Sequence, residues 1–422
     1  MIEADFVVRN VGLLATLAGR APRVGSAMGD LAAIEDAALA AAAGRIVFAG
    51  KAADLDAAVT LASGASVLDA EGGALLPGFV DAHTHLAFAG DRDAEIRARL
   101  AGKSYQEIAD EGGGIIRSVT ATRQAARGEL AASIRARLDE MLLCGTTTAE
   151  VKSGYGLETA AEIRSLEAIR DAAAAHPVSV VPTFLGAHEI PTEWRSDREG
   201  YVRLLIEDMI PKVAASGLAR FCDVFCEAGV FSLAESRQIL KAAAGHGLRL
   251  RVHADELTDT GGAELAAELR AFSADHLVHV SEAGMRALAR AGCVATLLPS
   301  AAFYLRLGRF APARALVDAG VAVAIASDAN PAGGLSPSLP FAMTLGCFGM
   351  GLSLEEAIVA TTLNAACSVG EQARAGSLEI GKRADLVLLR SARLLDLLRV
   401  GVPAIRAVVK NGRIVARDGR IL

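Results

Sequence analysis

The sequence predicts an α/β fold: a (β/α)₈ barrel of the TIM type, with a small β-sandwich domain formed by the N- and C-terminal segments. Three observations carry that expectation. Between about residues 76 and 370, eight apolar, β-branched runs alternate with Ala/Leu/Glu/Arg stretches of helical period, the pattern of βα units around a parallel sheet. The two ends of the chain resemble each other and not the middle. Finally, 422 residues with 52% hydrophobic content exceed what one ordinary core organises and leave ample apolar surface to bury.

In chain order, residues 1–75 hold the β-like runs DFVVRN, GRIVFAG and ASVLDAEGG, with one short helical candidate in DLAAIEDAALAAA. The barrel runs follow as ALLPGFVDAHTH (74–85), TTTAEVKS (146–153), VSVVPTFLGAH (178–188), RFCDVFCE (220–227), LRLRVHADE (248–256), FSADHL (272–277), CVATLLPS (293–300) and VAVAIASD (321–328). Towards the end, RADLVLLR and IRAVVKNGRIVARDGRIL alternate as strands around an Asn411-Gly412 hairpin turn. The expected domains are therefore 1–75 plus 371–422 for the small β domain and 76–370 for the barrel. An open doubly wound sheet is the weaker alternative, because no G-x-G-x-x-G follows an early strand. In the longest connection, 86–145, the triplet Gly112-Gly113-Gly114 suggests a flexible turn near the mouth.

Composition narrows the partners. With 43 Lys+Arg against 49 Asp+Glu the formal net charge is −6, and no basic run offers the concentrated field that nucleic acid or an anionic membrane requires. A small-molecule substrate is expected instead. Six scattered cysteines without a C-x-x-C pair read as buried thiols of a reducing compartment, and Cys222 and Cys226 as core rather than as a zinc pair. The acidic start and the lack of a membrane-length apolar run place the protein in the cytoplasm. The apolar surface of the small β domain suggests a homodimer.

Chemistry concentrates where the apolar runs end. His83 and His85 lie two apart at the end of the first run, so both imidazoles point to one side and converge on one ion. His188, His253 and His276 each end another run, and Asp328 ends the eighth, where an unpartnered carboxylate pays a heavy desolvation penalty. A barrel brings such ends to one rim. His83, His85, His253 and Asp328 then form an N₃O set for one divalent ion, Zn²⁺ or Fe²⁺, with a position left for water. The fourth run ends Phe225-Cys226-Glu227 without a lysine, which argues for a single metal, Glu227 being the one reason for a second. Glu256, three residues beyond His253, is a candidate proton shuttle, and either His276 or Asp328 is the candidate general base. Arg92 offers a planar fork to a substrate carboxylate, and Tyr155 sits in a Gly-flanked loop within reach of a ligand.

Taken together, FVDAHTHLAFAGDR, EVKSGYGLET, TFLGAHEIPTEW, VHADEL, SADHL and SDANP resemble, in order and spacing, the imidazolonepropionase family of the amidohydrolase superfamily, over essentially the whole chain. The resemblance implies a metal-dependent barrel with a small β-sandwich, acting in histidine degradation by opening 4-imidazolone-5-propanoate to N-formimidoyl-L-glutamate. It implies His83, His85, His253 and Asp328 as ligands, Arg92, Tyr155, His188, Glu256 and Asn330 as substrate contacts, and backbone contacts at Ala332 and Gly333. Two positions depart from the family pattern: Ala332 follows Asn330-Pro331 where glycine is common, and Ala89 precedes Gly90-Asp91-Arg92 where glycine is frequent. The alternatives are another mononuclear cyclic amidohydrolase or heterocycle deaminase, or a silent barrel that binds a metabolite.

Overall fold

All eight barrel runs form strands, and strands consecutive in sequence are neighbours in the sheet. They are Phe79–Asp81, Thr146–Lys152, Ser179–Ala187, Phe221–Cys226, Arg249–Ala254, Ser273–His276, Val294–Leu297 and Val323–Ile325. Each pairs in parallel with the next. The structure, a computed structural model, describes residues 1–103, 107 and 113–422, so Gly112 of the glycine triplet lies outside the described residues while Gly113 and Gly114 lie within them.

The first and eighth strands meet beyond their ends, where Thr84 bridges Ala329. There Asp328 N–H donates to the His83 carbonyl (3.1 Å) and His85 N–H to the Ala329 carbonyl (2.9 Å). The barrel is therefore closed by the backbone of the residues expected to bind metal.

Between strands, helices turn an apolar face to the sheet. Leu233–Gly245 shows why such a segment is helical: Ser232 and Glu235 cap its start reciprocally, and Ser236, Ile239, Leu240 and Ala243 bury one face at a spacing of three and four. Gly247 (φ 81°) ends the excursion in a conformation that costs glycine little.

The terminal segments share one nine-stranded sheet among the described residues. Ile2–Ala15 pairs with Ala33–Ala42, Val59–Asp69 and Ala74–Pro77, and Ala74–Pro77 in turn with Leu386–Leu389, which joins the two ends of the chain. Asn411 (φ 48°) and Gly412 (φ 71°) make the expected hairpin between Ile405–Lys410 and Arg413–Arg417. Alternation divides the labour: Leu386, Leu388 and Val409 pack with Phe6 and Leu39 into the sheet's own core, whereas Val387, Leu389 and Val408 pack towards the barrel.

Two local expectations are corrected. The alanine-rich stretch expected to be helical is the strand Ala33–Ala42, where five successive residues, Ala37 to Ala41, are buried. Neighbours cover both faces of that segment, and this packing overrides alanine's local preference for helix. The run 74–85 is divided: Ala74–Pro77 belongs to the terminal sheet and only Phe79–Asp81 to the barrel. Gly78 permits the switch, since a Cβ there would stand 2.3 Å from Thr147 Oγ1. Cys222 and Cys226 are buried, unbridged thiols, and burial raises both pKa values.

Candidate active site

The strand ends gather His83, His85, His253 and Asp328 at one point. Nε2 of His85 lies 3.1 Å from Nε2 of His83 and 3.3 Å from Nε2 of His253. Asp328 Oδ1 lies 3.6 Å from Nε2 of His83 and 3.5 Å from Nε2 of His85 and has no hydrogen-bond partner. Burial, reinforced by neighbouring cationic groups, holds the His83 and His85 pKa values well below 6.5, so both rings are neutral with lone pairs to offer. With the His253 nitrogen and the Asp328 carboxylate oxygen they form a buried group of donors able to take a cation between them. Nitrogens bound tetrahedrally to one Zn²⁺-sized ion stand about 3.3 Å apart, the spacing seen. The donor set fits a divalent metal.

Behind the histidines lie two buried ionic relays. His83 Nδ1 is 2.7 Å from Asp275 Oδ2, which also accepts from Arg251 Nη2 (2.9 Å); Arg251 is held in turn by the Ala82 and Ser368 carbonyls. His253 Nδ1 lies 3.1 Å from Asp223 Oδ2, and Lys152 Nζ lies 2.8 Å from both that oxygen and Glu150 Oε1. At His83 the Asp275 carboxylate keeps the ring proton on Nδ1 and leaves Nε2 as the donor.

Above this floor a cavity is lined by Arg92, Tyr155, His188, Glu256, His276 and the loop Asn330–Gly333, so every substrate or catalytic candidate named from sequence borders the same space. His188 stacks on His85 with ring centroids 5.0 Å apart, its Nδ1 fixed by the Gly154 carbonyl (2.9 Å), and burial lowers its pKa to about 3. Tyr155 meets His188 edge-on at 5.2 Å. The Nε and Nη2 of Arg92 both donate to Glu95 Oε2, at 2.8 and 2.6 Å. Burial, with repulsion from Asp328, raises Glu256 well above the usual carboxyl range; its Oε1 stands 3.5 Å from His276 Nδ1.

Two candidates are occupied locally. The Asn330 amide bonds the Asp328 carbonyl (2.8 Å) and the N–H groups of Ala332 (2.9 Å) and Gly333 (2.6 Å), so it builds the loop that borders the cavity. Glu227 accepts from Leu257 N–H (2.8 Å), Ala228 N–H (2.8 Å) and the Thr258 hydroxyl, which directs it to the loop after His253 and away from the histidines. The backbone at Asp255 (φ 52°), His276 (φ 75°) and Asp328 (φ 52°) is left-handed, a conformation that non-glycine residues adopt at a cost where function or packing demands it.

Sequence reasoning missed both relays and the cavity-lining residues Arg99, Phe225, Leu305 and Leu307. A signal for the relays was present: Glu150, Lys152, Asp223, Arg251 and Asp275 are charges inside runs otherwise apolar enough to be buried on both faces.

A closed parallel barrel with paired histidines after its first strand, a third at the end of the fifth and an aspartate after the eighth defines a metal-dependent hydrolase. The chain matches the Amidohydrolase family over residues 94–416. It is 50% identical over 423 residues to the imidazolonepropionase of Symbiobacterium thermophilum, covering 100% of this chain and 99% of that one. It is 44% identical over 418 residues to that of a Geobacillus species, covering 98% of each. The chain belongs to the imidazolonepropionases, within the amidohydrolase family. Among solved structures it shares its fold with a zinc-bound adenosine deaminase from Xanthomonas campestris (TM-score 0.75, 19% identity, 100% and 95% of the two chains). Guanine deaminase from E. coli is similar in the same sense (TM-score 0.71, 18% identity, 98% and 99%).

Proposed function

We propose that this chain hydrolyses the cyclic amide C–N bond of 4-imidazolone-5-propanoate to give N-formimidoyl-L-glutamate, in the cytoplasm and as a homodimer. The observation that carries the reading is the convergence of three imidazole Nε2 atoms and the Asp328 carboxylate beneath a cavity bordered by Arg92 and Tyr155, in a chain related over its full length to imidazolonepropionases.

His83, His85, His253 and Asp328 would hold one divalent ion, Zn²⁺ or Fe²⁺. When bound, it supplies Lewis-acid activation of water near neutral pH. Arg92 takes the propionate and places the ring carbonyl over the floor, so that binding energy is converted into orientation. As water adds to that carbon, Asp328 accepts its proton and His276 supports the developing oxyanion. Glu256, kept protonated by burial, gives its proton to the ring nitrogen as the C–N bond breaks. A proton from Asp328 then restores Glu256, and the step balances.

A heterocycle deaminase uses similar residue types, but a guanidinium at the mouth favours a substrate that bears a carboxylate. Loss of imidazolonepropionate ultraviolet absorbance, abolished by a chelator and restored by metal, is the expected result. Absence of metal-dependent turnover, or ammonia release in its place, overturns the assignment.

A further inference from the structure

Directly after the first-strand histidines the chain enters the helix Asp93–Leu100. Arg92, Glu95 and Arg99 follow one another at intervals of three and four, which sets them along one face of that helix. The face is turned inward, each of the three being no more than 5% exposed. Arg92 and Glu95 bond each other. The guanidinium of Arg99 instead reaches across the cavity wall: its Nη1 donates to the Ala332 carbonyl (2.9 Å) and to the Tyr304 carbonyl (3.2 Å). Arg306 Nη1 donates back to the Arg99 carbonyl (3.1 Å). Because the Asn330 amide already takes the N–H groups of Ala332 and Gly333, the loop is internally rigid and offers Arg99 a fixed carbonyl. One side chain thus joins three segments far apart in sequence, 93–100, 304–307 and 330–333. All three contribute residues to the cavity that holds Arg92 and Asp328.

We propose that Arg99 is a positioning residue: it clamps the segments after the seventh and eighth strands onto the helix that begins directly after Arg92, and so sets the distance between the carboxylate-binding end of the cavity and its floor. This rests on the reading of Arg92 as the carboxylate contact. Arg99 acts through its neighbours, so its loss should widen the carboxylate end while the histidine floor, held by its own relays, stays intact.

The test uses full-length, metal-loaded protein with Arg99→Met, Arg99→Lys and Arg306→Met. Arg99→Met is expected to raise KM for imidazolonepropionate about 10-fold, the size of losing a charge-assisted hydrogen bond, with kcat within about 3-fold and metal content unchanged. Arg99→Lys should recover part of the loss, since an ammonium reaches one carbonyl, and Arg306→Met should raise KM by a smaller factor. The inhibition constant of an imidazolone ring without the propionate should stay at its wild-type value, an outcome a general structural lesion does not give. KM within about 2-fold of wild type, or an equal loss of affinity for the side-chain-free ring, overturns the proposal. If Arg99→Met does not fold, Arg99→Lys and Arg306→Met decide by the same criteria. Wild-type protein that fails to turn over the substrate overturns the functional reading, whereas active wild type matched by Arg99→Met overturns the clamp alone.

Discussion

Two buried aspartates, one at the barrel rim and one in the terminal sheet, are treated in opposite ways. Asp385 is saturated: it accepts from Lys410 Nζ (2.6 Å), Arg383 Nε (3.1 Å) and Asn411 N–H (3.0 Å). Asp328 is equally hidden, yet its Oδ1 has no hydrogen-bond partner and faces two neutral histidines. A protein can satisfy a buried carboxylate internally and does so at Asp385, where the result is a fixed joint between sheet and barrel. The protein supplies no donor to Asp328 Oδ1, so its negative charge is relieved either by a proton or by a cation held between it and the histidines. The contrast is between an ion pair completed within the chain and a carboxylate that faces two imidazole nitrogens with no donor of its own.

The sharpest way to break this contrast is to remove the incomplete set. Asp328→Ala or His253→Ala should lose bound metal and lower kcat/KM by at least about 10³-fold; metal analysis beside turnover checks it, and full activity with full metal content would void the comparison. Next in size is the support behind the floor. Arg251→Met leaves Asp275 without its cation and should weaken metal affinity by roughly 10- to 100-fold, read by competition with a chelator.

Proton linkage sharpens the contrast further. Burial pushes the pKa of Asp328, and of nearby Asp81, from 3.8 up to about 7. In metal-free protein the folded chain therefore keeps protons that the unfolded chain has lost. Its stability is greatest below about pH 4 as far as these groups are concerned, and it declines as pH rises towards about 7. Metal addition at pH 6 should then release protons, an effect that fades above neutrality; calorimetry in buffers of different ionisation enthalpy measures it. The smallest functional effect is expected in the other region. Lys410→Met should cost up to about 3 kcal/mol of stability, limited because Arg383 still pairs with Asp385, while KM and metal content stay unchanged in the folded protein.

Much of the fold was legible because burial on both faces of a parallel strand leaves an apolar run that no helix of amphipathic period imitates. The Ala33–Ala42 strand was not legible, since alanine carries little information about which neighbours will cover it. At the site, His83 and His85 announced themselves by spacing and Asp328 by ending an apolar run. Arg251 and Asp275 hid inside such runs, where a single charge looks like an interruption until its partner on the adjacent strand is known. Arg99 gave no signal: an arginine in the helical sequence EIRARL is ordinarily solvated, and only the segments after strands seven and eight make its face an interior.

The order of the strands and the identity of the candidate donor side chains were determined by the sequence alone, because hydrophobic period and functional-group type are local properties. Tertiary structure decided which donors share a point, which rings are tautomerically fixed, and how far burial displaces the carboxyl pKa values. Those depend on distance and dielectric between residues hundreds of positions apart, quantities that exist only once the barrel has closed.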